Sequence, residues 1–196
     1  MLLSTILKSL PHVVLAALAV AGASSDALAH AGHAGGLADG LTHPFTGLDH
    51  VLAMVAVGLW ASQLGRPAIW LLPLVFPAVM AAGAVMGAHD VGLPWVEAGI
   101  VLSVVVLGAA VALKLRMSLL ASAALVGLFA LFHGHAHGSE FPAADSPLLY
   151  GIGFILATGA LHAVGLGIGA LAQRPLWMRT AGGAIAAAGL LLLVTP

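Results

Sequence analysis

Six predominantly apolar runs follow one another along this 196-residue chain, at 47–64, 69–88, 96–113, 117–133, 148–172 and 177–194, separated by short connections. A helix needs roughly 20 apolar residues to cross the hydrocarbon core of a bilayer. Backbone amides and carbonyls in lipid must be satisfied within the segment itself, so runs of this length predict membrane-spanning helices. Little chain remains for anything outside the membrane. The predicted fold is therefore all-α: one polytopic membrane bundle of about six transmembrane helices.

Composition closes off the alternatives. Charged residues make up 7% of the chain, against about 25% in soluble domains, so no water-facing surface of the usual kind can be built. The aromatic content of 6% and the absence of alternating apolar and polar strands fit a transmembrane barrel poorly. The 25 glycines suit helices that pack through small residues. Because there are no cysteines, thiolate zinc sites and cysteine-ligated iron–sulfur clusters are excluded. Any metal must be held by nitrogen and oxygen, with methionine sulfur as a soft addition. The net charge of −1 comes with no basic patch for nucleic acid. Membrane lipid is the expected surrounding partner.

The first 29 residues read as a secretory signal peptide: Lys8 supplies the positive start, Val13 to Ala21 the apolar centre, and Ala27-Leu28-Ala29 the cleavage site. The alternative is an uncleaved first helix, which the shortness of the apolar run disfavours. Residues 30–196 then form a single transmembrane domain. His30 and His33 would stand beside the new amino terminus, a pairing that chance produces easily.

Charge divides the connections. Arg66, Lys114, Arg116, Arg174 and Arg179 all fall at the first, third and fifth connections. Basic residues stay on the cytoplasmic side of bacterial inner membranes. Both ends of the mature chain are thus expected in the periplasm, in agreement with an exported start. The other side receives most of the histidines and carboxylates. Within the spans, Pro73 and Pro77 predict a kinked second helix. The glycines at 151, 153, 159, 165, 167 and 169 leave the fifth with little bulk.

Two constellations carry chemistry. The first is His43-Pro44-Phe45-Thr46-Gly47-Leu48-Asp49-His50. Pro44 and Gly47 predict a turn that folds His43 back toward Asp49 and His50. The second is Phe132-His133-Gly134-His135-Ala136-His137-Gly138-Ser139-Glu140, at the far end of the fourth run. On a helix His133 and His137 stand at i and i+4, with Glu140 at i+7, on one face. Imidazole suits late first-row ions, whereas calcium and magnesium prefer oxygen. A lone interfacial histidine is more often a hydrogen-bonded structural group, but two clusters on one membrane side point to metal. Asp49 has a second reading, since a carboxylate at a helix start satisfies exposed N–H groups. His162 lies inside the fifth run, where an ionisable residue is a functional candidate by default; Thr158, one turn away, is its expected hydrogen-bond partner. Met54, one turn below His50, reads first as packing.

The stretches His43-Pro44-x-x-Gly47-x-Asp49-His50 and His133-Gly134-x-Ala136-His137-Gly138-x-Glu140, with Ala157-Thr158-x-x-Leu161-His162, resemble the signature segments of the HupE/UreJ family. That resemblance covers the whole mature chain. It implies a secondary permease for nickel or cobalt, serving hydrogenase or urease maturation or cobalamin supply. It also implies a metal-handling set of His43, Asp49, His50, His133, His137 and Glu140, with His162 as a further member. His135 falls at a variable position.

The expected function is uptake of divalent nickel or cobalt, with no resident cofactor and no enzymatic turnover. No phosphate-binding G-x-x-x-x-G-K-[ST] loop is present, so the chain is not itself an ATP-driven pump. Three rivals have separate tests. A b-type cytochrome would show a Soret band, a membrane metallohydrolase metal-dependent turnover, and an accessory or sensing subunit binding without flux.

Overall fold

The computed structural model describes residues 36–139, 146–172 and 175–194. The expected signal peptide at 1–29, together with His30, His33 and Glu140, lies outside the described residues. Every regular element among the described residues is helical. A short helix α1 (Leu37–Thr42) runs into a 3-10 turn at His43–Phe45, and the apolar runs then form α2 (Leu48–Leu64), α3 (Ala68–Ala88), α4 (Val96–Leu113), α5 (Leu119–Ser139), α6 (Pro147–Leu171) and α7 (Pro175–Val194). Helices α3 to α7 are each long and apolar enough to cross a membrane. With 17 residues, α2 reaches that standard only together with α1 and the turn, across a bend of 83°. The expectation of about six transmembrane helices is met with one of them broken.

In lipid, burying apolar side chains between helices gains little, so the helices must associate through close backbone approach. Glycine provides it. On α3, Gly83 and Gly87 lie against the backbone carbonyls of Leu131 and His135; on α5, Gly134 and Gly138 lie against those of Met80 and Ala84. A side chain at any of the four would run into backbone. The same device joins α2 to α6 through Gly58 and Gly165, and α4 to α7 through Gly108 and Gly182. Leucines, by contrast, face outward freely, and Leu120 is 80% exposed. That is the arrangement of a bundle whose solvent is hydrocarbon.

Two features differ from the bounds of the apolar runs. The glycine-rich stretch before His43 includes a helix, α1, which rests on α6 because Gly40 and Gly153 let the two backbones meet. The fourth run continues as helix to Ser139, since Gly134 and Gly138 are packed against α3 rather than free to break it. Helix α3 holds Pro73 and Pro77 within its span.

The glycines of α6 divide by face. Gly153, Gly165 and Gly169 meet neighbouring helices, whereas Gly151, Gly159 and Gly167 have open space where a side chain would go. Gly159→Ala is expected to leave thermal stability in detergent unchanged or raise it, by up to about 1 kcal/mol, because alanine loses less entropy in a helix. A clear loss of stability would show that this face is covered.

The two ends of the bundle differ. At one end Arg66, Lys114, Arg116 and Arg179 are exposed. There the indole N–H of Trp60 donates to the Leu115 carbonyl at 3.0 Å, and the Gln63 amide donates to the Val111 carbonyl at 3.0 Å, fixing the end of α2 to that of α4. At the other end α1, the first turn of α2, the last turns of α5 and the start of α6 converge. The candidate site lies there.

Candidate metal centre

The chain enters α2 through a bend. Pro44 is buried in the 3-10 turn, the Thr46 hydroxyl and N–H both donate to the His43 carbonyl at 2.7 and 2.9 Å, and Gly47 is extended. This turn sets His43 above the first turn of α2, where His50 is fully buried. From the facing side, α5 brings in His133 and His137, one helical turn apart, as their i, i+4 spacing predicts. One nitrogen from each of His50, His133 and His137 lies within 4.8 Å of the others. Around a tetrahedral ion bound at about 2.0–2.1 Å, ligand nitrogens stand roughly 3.4 Å apart. The cluster therefore needs only a modest inward closure to grip an ion with three imidazoles.

Part of the cluster already has that spacing. His137 Nε2 is 3.2 Å from His50 Nδ1, and His137 Nδ1 is 3.2 Å from His43 Nε2. His50 Nε2 lies 3.5 Å from Thr158 Oγ1, and His133 Nε2 lies 2.9 Å from Ser103 Oγ. Each of the three central imidazoles thus has one nitrogen toward an outlying partner, an arrangement that orients a ligand ring and sets its tautomer. Aromatic rings wall the group. Phe154 packs 5.2 Å from the His50 ring and 4.7 Å from the His137 ring, and Phe76 lies 5.8 Å from His133. An apolar cavity of about 170 Å³ between α3, α5 and α6 reaches His137.

The other sequence candidates occupy different places. His43 joins the group through His137, with its ring also against Tyr150 and Phe154. Asp49 is half-buried, and its Oδ1 accepts the His50 backbone N–H at 2.6 Å. A carboxylate there favours the positive start of α2; among the described residues the three-nitrogen group contains no carboxylate. His162 is buried one turn below Thr158, but the expected bond between them is not formed. The Thr158 hydroxyl meets His50 instead, and the His162 ring turns to Phe76 at 5.4 Å, leaving both ring nitrogens without a hydrogen-bond partner. Met54 is fully buried on α2. His135 lies outside the cluster, and its Nε2–H donates to the Val91 carbonyl at 2.8 Å.

Ser103, Phe76, Phe154 and Tyr150 shape this centre and were not singled out in the sequence. One signal for Ser103 was present: it is the sole hydroxyl in the run that forms α4, and a polar group inside a membrane span needs a reason. The aromatic residues carry no such mark.

Comparison with known proteins adds a family. Residues 18–192 match the family described as HupE / UreJ protein. The chain is also similar to Protein HupE of Rhizobium leguminosarum bv. viciae, at 48% identity over 184 residues, covering 92% of this chain and 95% of that protein. No solved structure matches.

Proposed function

The chain belongs to the HupE/UreJ family, and from that premise and the buried histidine cluster we propose that it is a permease taking divalent nickel or cobalt across a bacterial inner membrane. The observation that carries this reading is the grouping of three imidazole nitrogens within 4.8 Å, inside a bundle of membrane-length helices. Imidazole binds late first-row ions well. Neutral ligands leave the ion's two charges uncompensated in a low-dielectric surrounding, which limits how tightly it is held. A carrier benefits from that limit, since it must release its cargo.

In this reading the basic end faces the cytoplasm and the histidine end the periplasm, with both mature termini outside. The ion approaches past His43 and Asp49 and sheds water as His50, His133 and His137 replace it; Glu140, which the family resemblance adds to the metal-handling set, supplies a second carboxylate. The carboxylates lower the cost of bringing a dication to the membrane surface. Phe76 touches both His133 and His162, so the ring separates the outer cluster from the next nitrogen ligand along the bundle. His162, buried with both nitrogens unpartnered, is the inner stepping point, from which the ion leaves to a hydrogenase, urease or cobalamin maturation system. The role we assign is transport and not turnover, and metal-dependent turnover without flux would favour the enzymatic alternative.

Two measurements test it. X-ray absorption on nickel-loaded protein is expected to show nitrogen coordination with the outer-shell scattering of about three imidazoles; an all-oxygen shell would remove the cluster from the account. Protons compete with metal for neutral imidazole. Uptake is therefore expected to be lost at sufficiently low pH, and a steady rise with acidification would contradict histidine ligation.

A further inference from the structure

We propose that Ser103 is a positioning residue that fixes the tautomer of His133, so that His133 presents Nδ1, and not Nε2, to the metal ion. The inference rests on the reading of the cluster as a metal site and assigns a role to a helix, α4, that carries none of the signature histidines.

Ser103 is fully buried in the second turn of α4. Its Oγ lies 2.6 Å from the Ile100 backbone carbonyl and 2.9 Å from His133 Nε2. Two oxygens this close repel unless a proton lies between them, and the carbonyl has none to give. The serine hydroxyl therefore donates to Ile100. It has one proton only, so toward His133 it offers a lone pair. The nitrogen facing it must then carry hydrogen: His133 Nε2–H donates to Ser103 Oγ. A neutral imidazole has one N–H and one lone pair, which leaves Nδ1 as the only atom His133 can give a metal.

The other two cluster histidines are not held in this way. The contacts from His137 to His43 and His50 join nitrogen to nitrogen, and each can run in either direction. Thr158 faces His50 at 3.5 Å, too long to fix a direction. His133 is thus the one ligand whose tautomer is set before the ion arrives, and the other two adjust around it. Losing an outer hydrogen-bond partner of a metal-bound histidine costs roughly 10- to 100-fold in affinity.

Nitrogen-15 NMR of histidine-labelled protein in nanodiscs, without metal, reads the tautomer directly, with the His133 signals identified by their loss in His133→Gln. The expected result is protonated Nε2 and lone-pair Nδ1 in the wild type. In Ser103→Ala a mixture of tautomers is expected, with nickel affinity by titration calorimetry lowered about 10-fold or more while the melting temperature is retained. A wild-type His133 protonated at Nδ1 overturns the proposal, as does a Ser103→Ala protein that keeps both the single tautomer and its nickel affinity. Should the variant fail to fold, the wild-type spectrum decides alone. If the wild type binds no nickel or cobalt, the metal reading fails separately, and the spectrum still shows whether Ser103 orients His133.

Discussion

Replacing His133 by alanine is expected to reduce nickel and cobalt flux in proteoliposomes by more than about 100-fold, since loss of an outer-shell partner alone costs 10- to 100-fold and this change removes a ligand itself. Three imidazoles are the smallest set here that holds an ion on several sides, and two leave it largely hydrated. The same loss is expected for His50→Ala, because the two residues come from helices on opposite sides of the group and neither substitutes for the other. Both are fully buried, so each variant needs a check of its elution profile and melting temperature before flux is read. His135→Ala is the matched control. It lies in the same stretch of α5, but its ring meets the Val91 carbonyl outside the cluster, and flux should stay within about twofold of wild type. If His133→Ala and His135→Ala behaved alike, the cluster would not be the site of passage.

The second large effect comes from a residue with no side chain. Gly134→Val is expected to prevent accumulation of folded protein, or to lower its melting temperature sharply, because the new Cβ would fall on the Met80 carbonyl of α3. Overpacking a close interface costs typically about 1–3 kcal/mol and occasionally more. Here no flexible side chain is available to yield; backbone must move. Gly138 meets the Ala84 carbonyl in the same way, and Gly138→Val should act alike. Any folded fraction should also lose flux, since separating α3 from α5 displaces His133 and His137 together. Gly134→Val with the stability of wild type would show that the two backbones are not in such close contact. Size-exclusion profiles and thermal melts, with Gly159→Ala alongside, make the comparison.

This second case explains the pattern around the α5 histidines. In His133-Gly134-x-Ala136-His137-Gly138 each cluster histidine is followed by a glycine. One step along a helix turns about 100°, so histidines at 133 and 137 share one face while the glycines at 134 and 138 share the next. The first face looks into the cluster and the second takes the backbone of α3. In the sequence the apolar run itself ends at His133. Packing against α3 keeps the chain helical to Ser139.

Other parts were legible for plain reasons. Length and hydropathy mark membrane helices because lipid leaves a backbone no other choice. The i, i+4 spacing of His133 and His137 needed only helical geometry. What stayed hidden depends on which face of each helix turns inward, and in a membrane bundle the inner and outer faces are both apolar. The period of the pattern therefore says nothing about Phe76 or Phe154. It could not show that Thr158 turns to His50 rather than to His162, nor that His43 reaches the group through His137. Asp49 had two readings, and the structure puts its Oδ1 on the His50 amide, where it steadies the helix start beside the proposed entrance.

The most direct test of the permease account is uptake of radiolabelled nickel and cobalt into sealed proteoliposomes containing the wild-type chain, set against protein-free liposomes and the His133→Ala variant. Saturable uptake of one or both ions, lost in the variant, is the expected result. Equilibrium binding of metal at the cluster with no accumulation inside the vesicles would contradict it, and would make the protein a metal-holding subunit in place of a carrier.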